Sequence, residues 1–127
     1  MTPSKIVLHK DSGDLELQFP DHGTYTLTSE FLRVYSPSAE VKGHGPGQEV
    51  LQWGKKNVRI KAIEKSGNYA IRISFDDGHD TGIFSWDYLL ELCLNKDVFW
   101  SHYLDKLRLA GRDRDPDVSV VKLWDMS

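Results

Sequence analysis

Five consecutive residues, Asp76-Asp77-Gly78-His79-Asp80, gather three carboxylates, a glycine and an imidazole. Clustered oxygens are what hard cations such as calcium require. The spacing does not fit a calcium loop. Counting from Asp76 puts Thr81 where glycine is needed, counting from Asp77 leaves Thr81 as a weak ligand, and neither register ends on glutamate. Asp-Gly is also a common turn pair, so the same residues read as the exit from a hairpin. His79 is the residue that invites chemistry, as a metal ligand or as a partner contact. Imidazole with carboxylate suits zinc and iron, and His79 with Asp77, Asp80 or His44 would supply such a set. The other histidines, His9, His22, His44 and His102, are scattered, and only the fold can gather them.

Nucleophile and cofactor patterns are missing. Cys93 lies on the apolar stripe of a predicted helix, where a thiol is inert. Ser36 and Ser38 flank Pro37 without the Gly-x-Ser-x-Gly of a nucleophile elbow. Gly43-His44-Gly45-Pro46-Gly47 lacks the Gly-Lys-Ser/Thr ending of a phosphate loop and reads as a flexible stretch. No catalytic residue is assigned, and no enzyme activity is expected.

The elements that must position this loop belong to a chain of 127 residues, short enough for a single domain over 1–127. Hydrophobic residues make up 39% and charged residues 28%, which suits a packed domain rather than a disordered one. A net charge of -3 argues against nucleic-acid binding through a broad basic face. One cysteine excludes an internal disulfide and a multi-cysteine zinc site. The N-terminal residues lack a signal-peptide pattern, and no apolar run approaches the ~20 residues of a membrane span, so a cytoplasmic location is expected.

Ile6-Val7-Leu8 and the alternating Leu15, Leu17 and Phe19 flank the turn Asp11-Ser12-Gly13-Asp14, which predicts a hairpin. A turn at Pro20 to Gly23 leads to a third apolar segment at Tyr25 and Leu27. Thr28 or Ser29 caps a short helix carrying Phe31, Leu32 and Val34, and Pro37 stops it. Residues 36–57 show no periodicity, which predicts a long irregular loop. A second hairpin places Val58, Ile60 and Ala62, then Tyr69, Ile71, Ile73 and Phe75, on its apolar phase, with Ile63 on the wetter side; Ile83-Phe84 extends briefly after it. Ser85 caps a helix whose stripe is Trp86, Leu89, Leu90, Cys93 and Leu94. A further helix, capped by Asp97 and ended by Gly111, carries Trp100, Tyr103, Leu104 and Leu107. The charged start of the tail, 112–127, reads as flexible, and its apolar end docks on the domain or on a partner. Trp53, in the irregular loop, and Trp124, in the tail, are either partner contacts or folded back on the domain.

Three segments carry a family resemblance. They are Phe31-Leu32-Arg33 followed by Ser36-Pro37-Ser38-Ala39-Glu40-Val41, the hairpin from Val58 to Phe75, and Asp77-Gly78-His79-Asp80-Thr81-Gly82-Ile83-Phe84-Ser85-Trp86 followed by Leu89. Together they resemble the gamma-butyrobetaine hydroxylase-like N-terminal domain family over about residues 5–95. Small stand-alone bacterial members carry an added helix like the one around Trp100 to Leu107. In the hydroxylases this domain precedes an iron- and 2-oxoglutarate-dependent catalytic domain. This chain is too short to hold that domain, and adjacent His79-Asp80 lacks its His-x-Asp spacing, so oxygenase activity does not carry over. The resemblance also implies a zinc site of three cysteines and one histidine. Here Ser36, Ser38 and Val41 stand at the cysteine positions, and His79 alone matches. The resemblance therefore explains His79 and predicts that hydrogen bonds among His79, Asp77 and the Ser36 to Ser38 segment hold the loop. A similar domain also occurs joined to P-loop iron–sulfur carrier proteins, which implies by analogy a role in iron or cluster delivery, although one buried cysteine cannot hold a four-thiolate cluster.

The sequence thus predicts an α+β domain with an antiparallel sheet of about five or six short strands, one short helix, and two late helices packed on it. The leading functional expectation is a monomeric, non-catalytic adaptor with an unidentified protein partner and no cofactor. It would contact that partner through Asp77, His79, Asp80, Trp86, Arg33, Ser36 and Ser38. The alternative is a zinc- or iron-binding accessory protein centred on His79.

Overall fold

The computed structural model describes residues 1–43 and 45–118. Six strands and four helices follow one another along these residues. β1 (Lys5–His9), β2 (Asp14–Phe19) and β3 (Gly23–Leu27) form one antiparallel sheet in the order β1-β2-β3. β4 (Ile60–Ser66), β5 (Ala70–Phe75) and β6 (Gly82–Ser85) form a second, in the order β4-β5-β6. Between the sheets in sequence lie α1 (Ser29–Val34) and a single turn of helix, α2 (Ala39–Lys42). After them come α3 (Trp86–Leu94) and α4 (Lys96–Ala110).

The expected single sheet is therefore two sheets, which share one core. Leu15, Leu17 and Phe19 of β2 and Ile71, Ile73 and Phe75 of β5 alternate inward and meet in the same cluster. Phe31 and Leu32 of α1 and Leu89, Leu92 and Cys93 of α3 complete it. Side chains instead of a strand ladder link the sheets: Arg59 Nη1, just before β4, donates to the Asp11 carbonyl in the β1–β2 turn at 3.2 Å, and Ser29 bridges both. Ser29 is buried, its Oγ donates to the Gly13 carbonyl in the β1–β2 turn, and it accepts from the Ile60 N–H at 3.1 Å, where β4 begins. Gly13 has φ 79°, and a Cβ there would stand 2.7 Å from Arg59 and 3.0 Å from Ser29 Oγ. Only glycine tolerates both the backbone and the approach.

Several local expectations shift for identifiable reasons. A register break between Ile60 and Ala62 lets Ile63 pair with Ile73 and pack on the core, so the predicted phase of β4 holds only up to the bulge. Tyr69 falls in the turn and is 77% exposed. Thr28 and Ser85 cap α1 and α3 as expected, accepting from Phe31 N–H and Tyr88 N–H at 3.1 Å each. On α3 it is Leu92 that is fully buried and Leu94 that is exposed. α4 begins directly after Asn95 with no side-chain cap, so Asp97 lies inside it. Gly111 ends it in the left-handed conformation.

Residues 112–118, expected to be flexible, lie against the domain. Gly54 N–H and Lys56 N–H donate to the carbonyls of Asp113 and Arg114 at 2.9 and 3.0 Å. Arg114 forks onto the buried Glu30 at 2.6 and 2.8 Å, and Arg112 stacks on Trp53 with 4.6 Å to the ring centroid. Trp53 is thus covered in part by the chain itself, whereas Trp124 and the apolar end of the tail lie outside the described residues.

Replacing Ser29 with alanine leaves a buried carbonyl and a buried N–H without partners. The expected cost is about 1–3 kcal/mol of unfolding free energy, read as a lower urea midpoint at unchanged slope. An unchanged midpoint would show that the two sheets do not depend on this hydroxyl.

Candidate functional site

Arg33 occupies the last turn of α1 and is 7% exposed. A buried guanidinium requires anionic and hydrogen-bonding partners. It finds them in two loops: its Nε donates to Asp77 Oδ2 at 2.9 Å, and its Nη1 to Gln52 Oε1 at 3.0 Å. Lys55 Nζ reaches the same Asp77 oxygen at 3.2 Å. The other oxygen, Asp77 Oδ1, accepts from the backbone N–H of His79 at 3.2 Å. Burial pushes the Asp77 carboxyl up, but the His79 N–H, Arg33 and Lys55 together outweigh it and hold the group below the usual carboxylate value.

The ring of His79 faces two hydroxyls. Its Nε2 lies 2.9 Å from Ser36 Oγ and 3.2 Å from Ser38 Oγ, and the two serines touch at 3.4 Å. Both serines are buried, Ser36 completely. Gly82, at the start of β6, makes room: a Cβ there would stand 2.5 Å from Ser36 Oγ. Burial, and then the neighbouring Arg33 charge, push the imidazole below the ordinary histidine value, so it is neutral at pH 7. Thr81 adds one more link, donating to Glu40 Oε2 at 2.8 Å. The predicted bonds among His79, Asp77 and the Ser36 to Ser38 segment are all present, and Arg33 ties them to α1.

This arrangement holds a loop and lacks the geometry of a nucleophile. Ser36 and His79 stand at nucleophile–base distance, yet Asp77 binds the main chain of His79 and not its ring. The enclosed Ser36 hydroxyl has no face open to a substrate carbonyl. The residues do not fit zinc either. Serine hydroxyls and the buried Val41 stand where the resemblance implies thiolates, and no buried side-chain N or O atom among the described residues lacks a partner. Among the described residues no three His, Cys, Asp or Glu side chains converge, so Asp77 and Asp80 do not form a ligand set with His79; His44 lies outside those residues. The buried Cys93 thiol is pushed up to about 12, in keeping with an inert core residue.

Of the seven expected contact residues, Arg33, Ser36, Ser38 and Trp86 are buried, which corrects their assignment as contacts, Trp86 lying in the core as its place on the helix stripe predicts. Trp86 is fixed by its indole N–H on the Asn68 carbonyl at 2.9 Å. Asp77 and His79 are partly covered, and Asp80 is exposed. Gln52 and Lys55 escape the sequence reading, whereas Glu40 and Gly82 fall in segments that carry the resemblance without being singled out. Gln52 and Lys55 come from the stretch without periodicity, where no pattern marks a residue that folds onto a distant carboxylate.

Fold and site define a small α+β domain whose irregular polar loop is clasped by buried side chains of a helix and the turn after it. The chain belongs to the gamma-butyrobetaine hydroxylase-like N-terminal family, whose model matches residues 6–90. It is similar to a protein solved by NMR in solution at 56% identity, covering 94% of each chain with a TM-score of 0.82. A second NMR structure is 48% identical, covers 95% of this chain and 92% of its own, and has a TM-score of 0.75. A crystal structure of a DUF971-family protein of unknown function from Acidithiobacillus ferrooxidans is 36% identical. It covers 71% of this chain and 90% of its own, with a TM-score of 0.59. No curated protein is matched. Among the described residues no helix is long and apolar enough to cross a membrane.

Replacing His79 with alanine leaves the two buried hydroxyls only their long contact with each other and is expected to cost about 1–2 kcal/mol, measured by chemical unfolding. A histidine held low in the folded state takes its proton more readily once unfolded. Stability is therefore expected to fall as pH drops below the ordinary value of 6.5 and to level off at the lower folded value. Melting temperatures of wild type and His79→Gln between pH 7.5 and 5 check this: the variant's profile is the flatter one.

Proposed function

We propose that this protein is a non-catalytic binding module, an adaptor whose contact face is the segment 76–85, the irregular loop 76–81 together with β6, and the adjoining stretch around Glu40. The observation that carries this reading is the clasp. A loop without regular structure is pinned at Asp77, His79 and Thr81 by Arg33, Lys55, two serines and Glu40. Pinning of this kind exposes Asp76, Gly78 and Asp80 on a fixed backbone, so little ordering cost remains when a partner binds. Asp80 and Glu40 are exposed carboxylates on this face, which favours a protein partner presenting basic groups.

Affinity capture with wild type, Asp80→Arg and Glu40→Arg tests the face. The expected result is a partner recovered by wild type and lost in both variants, with Asp80→Arg melting as wild type does and Glu40→Arg melting lower because it also loses the Thr81 hydrogen bond. Retention of the same partner by both variants would remove the loop as the contact. Chelator treatment separates this reading from a metal-dependent one. The adaptor keeps its melting temperature, whereas a structural metal would contribute folding energy that chelation removes.

A further inference from the structure

β6 is an edge strand, and its outer side is open. Trp86 N–H donates to the Tyr69 carbonyl at 2.8 Å, in the same antiparallel register that pairs Phe84 with Ile71 and Gly82 with Ile73. Hydrogen bonding alternates along such a ladder, so Gly82 and Phe84 direct their backbone groups at β5. Ile83 N–H, Ile83 C=O and Ser85 N–H therefore point away from β5, and none of them has a backbone partner among the described residues. Ile83 is 51% exposed, and Ser85 is exposed as well. The other three edges carry features that discourage pairing. β4 has its bulge and the exposed Lys61 and Lys65. On β3 the Thr26 carbonyl accepts from the Lys96 ammonium at 3.4 Å. β1 starts at the exposed Lys5 and runs into the exposed Lys10. β6 has no lysine, no proline and no register break.

The groups around this edge give the character of what pairs with it. At its loop end stand Asp80 and Glu40, both exposed and neither in an ion pair within 4 Å among the described residues. The cations of this region are engaged elsewhere: Arg72 on Glu64, the N-terminus on Asp87, Arg33 and Lys55 on Asp77, and Lys42 over the Tyr88 ring. A second copy is disfavoured, because antiparallel pairing of two β6 strands sets Asp80 of each copy alongside Asp87 of the other. Ile83 presents an apolar side chain beside the free backbone groups, and an apolar cross-strand neighbour packs best against it. We propose that β6 takes an extended segment of a protein partner as an added strand, with an apolar residue opposite Ile83 and a basic residue beside Asp80. Strand addition draws affinity from main-chain hydrogen bonds and specificity from alternate side chains. The inference rests on the reading of 76–85 as a contact face and names the form and chemistry of what meets it.

Amide NMR of the full chain with three end-blocked peptides tests it. The probes are Thr-Val-Thr-Val-Lys-Arg, the same sequence ending in Glu-Asp, and the first with both valine nitrogens methylated. Bound antiparallel, the first sets a valine opposite Ile83 and its basic end beside Asp80. In the free protein Ile83 N–H is expected to exchange with solvent much faster than Phe84 N–H. The basic peptide should give saturable shifts centred on Ile83 and Ser85 and slow the exchange of both amides. The acidic and methylated peptides should bind about tenfold more weakly, the factor expected for one charge-assisted or two ordinary hydrogen bonds. Ile83→Pro removes an N–H that points away from β5, where an edge strand accepts proline. It should keep Phe84 and Trp86 protected and lose the peptide, and the methylated peptide asks the same question of the unaltered chain. Absence of saturable shifts, shifts centred on another strand, or full affinity of the acidic or methylated peptide would each overturn the proposal. Affinity capture separates the two readings. A partner lost in Asp80→Arg but kept by Ile83→Pro leaves the contact face standing and removes the added strand, whereas a partner kept by both Asp80→Arg and Glu40→Arg removes both.

Discussion

A guanidinium taken out of water must be answered from within the protein, and Arg33 is the buried charge around which this domain's irregular half is arranged. It stands at the end of a helix too short to be stable alone, and its partners come from loops 19 and 44 residues away in sequence. Asp77 brings the acidic loop to α1, and Gln52 brings the long connection. Lys55 completes the charge balance around the carboxylate. Once these groups are placed, the backbone of His79 is fixed by Asp77, and its ring is delivered to the two serines.

The serine–histidine cluster does with neutral hydrogen bonds what a metal-centred cross-link would do with coordinate bonds: it fastens the turn after α1 to the loop before β6. The two solutions differ in character. A thiolate–metal site ties folding to metal supply and redox state, whereas hydroxyls around a neutral imidazole depend on packing and pH. The tight approach of Gly82 to Ser36 shows that the loop is fitted to the hydroxyl now present.

Period-two alternation was legible wherever a strand has one buried face, as at Leu15, Leu17 and Phe19 or Ile71, Ile73 and Phe75. It failed at Ile63, because a single extra residue reverses the phase and no composition signal marks a bulge. The number of sheets was not legible either. Hydrophobic pattern reports which face is buried and is silent on whether two ladders join by strand pairing or, as here, through the side chains of Ser29 and Arg59. In the site, His79 and Asp77 could be singled out by type and spacing. That Arg33, Ser36 and Ser38 act from inside the protein could not, because polar residues are surface residues by default and become interior only when a distant partner satisfies them, whereas the burial of Trp86 follows from its place on the stripe of α3.

The fork between Glu30 and Arg114 spans 84 positions, from the first turn of α1 to a stretch beyond the last helix. Glu30 is almost completely enclosed. During synthesis α1 leaves the ribosome long before its counter-ion does, so a nascent chain carries an uncompensated acid at the place where its core must close. Both sheets can form while the chain is still attached. Final closure waits for Arg114, which is made only after every strand and helix that packs around Glu30, so the acid can be enclosed with its partner only once all of them have been synthesised.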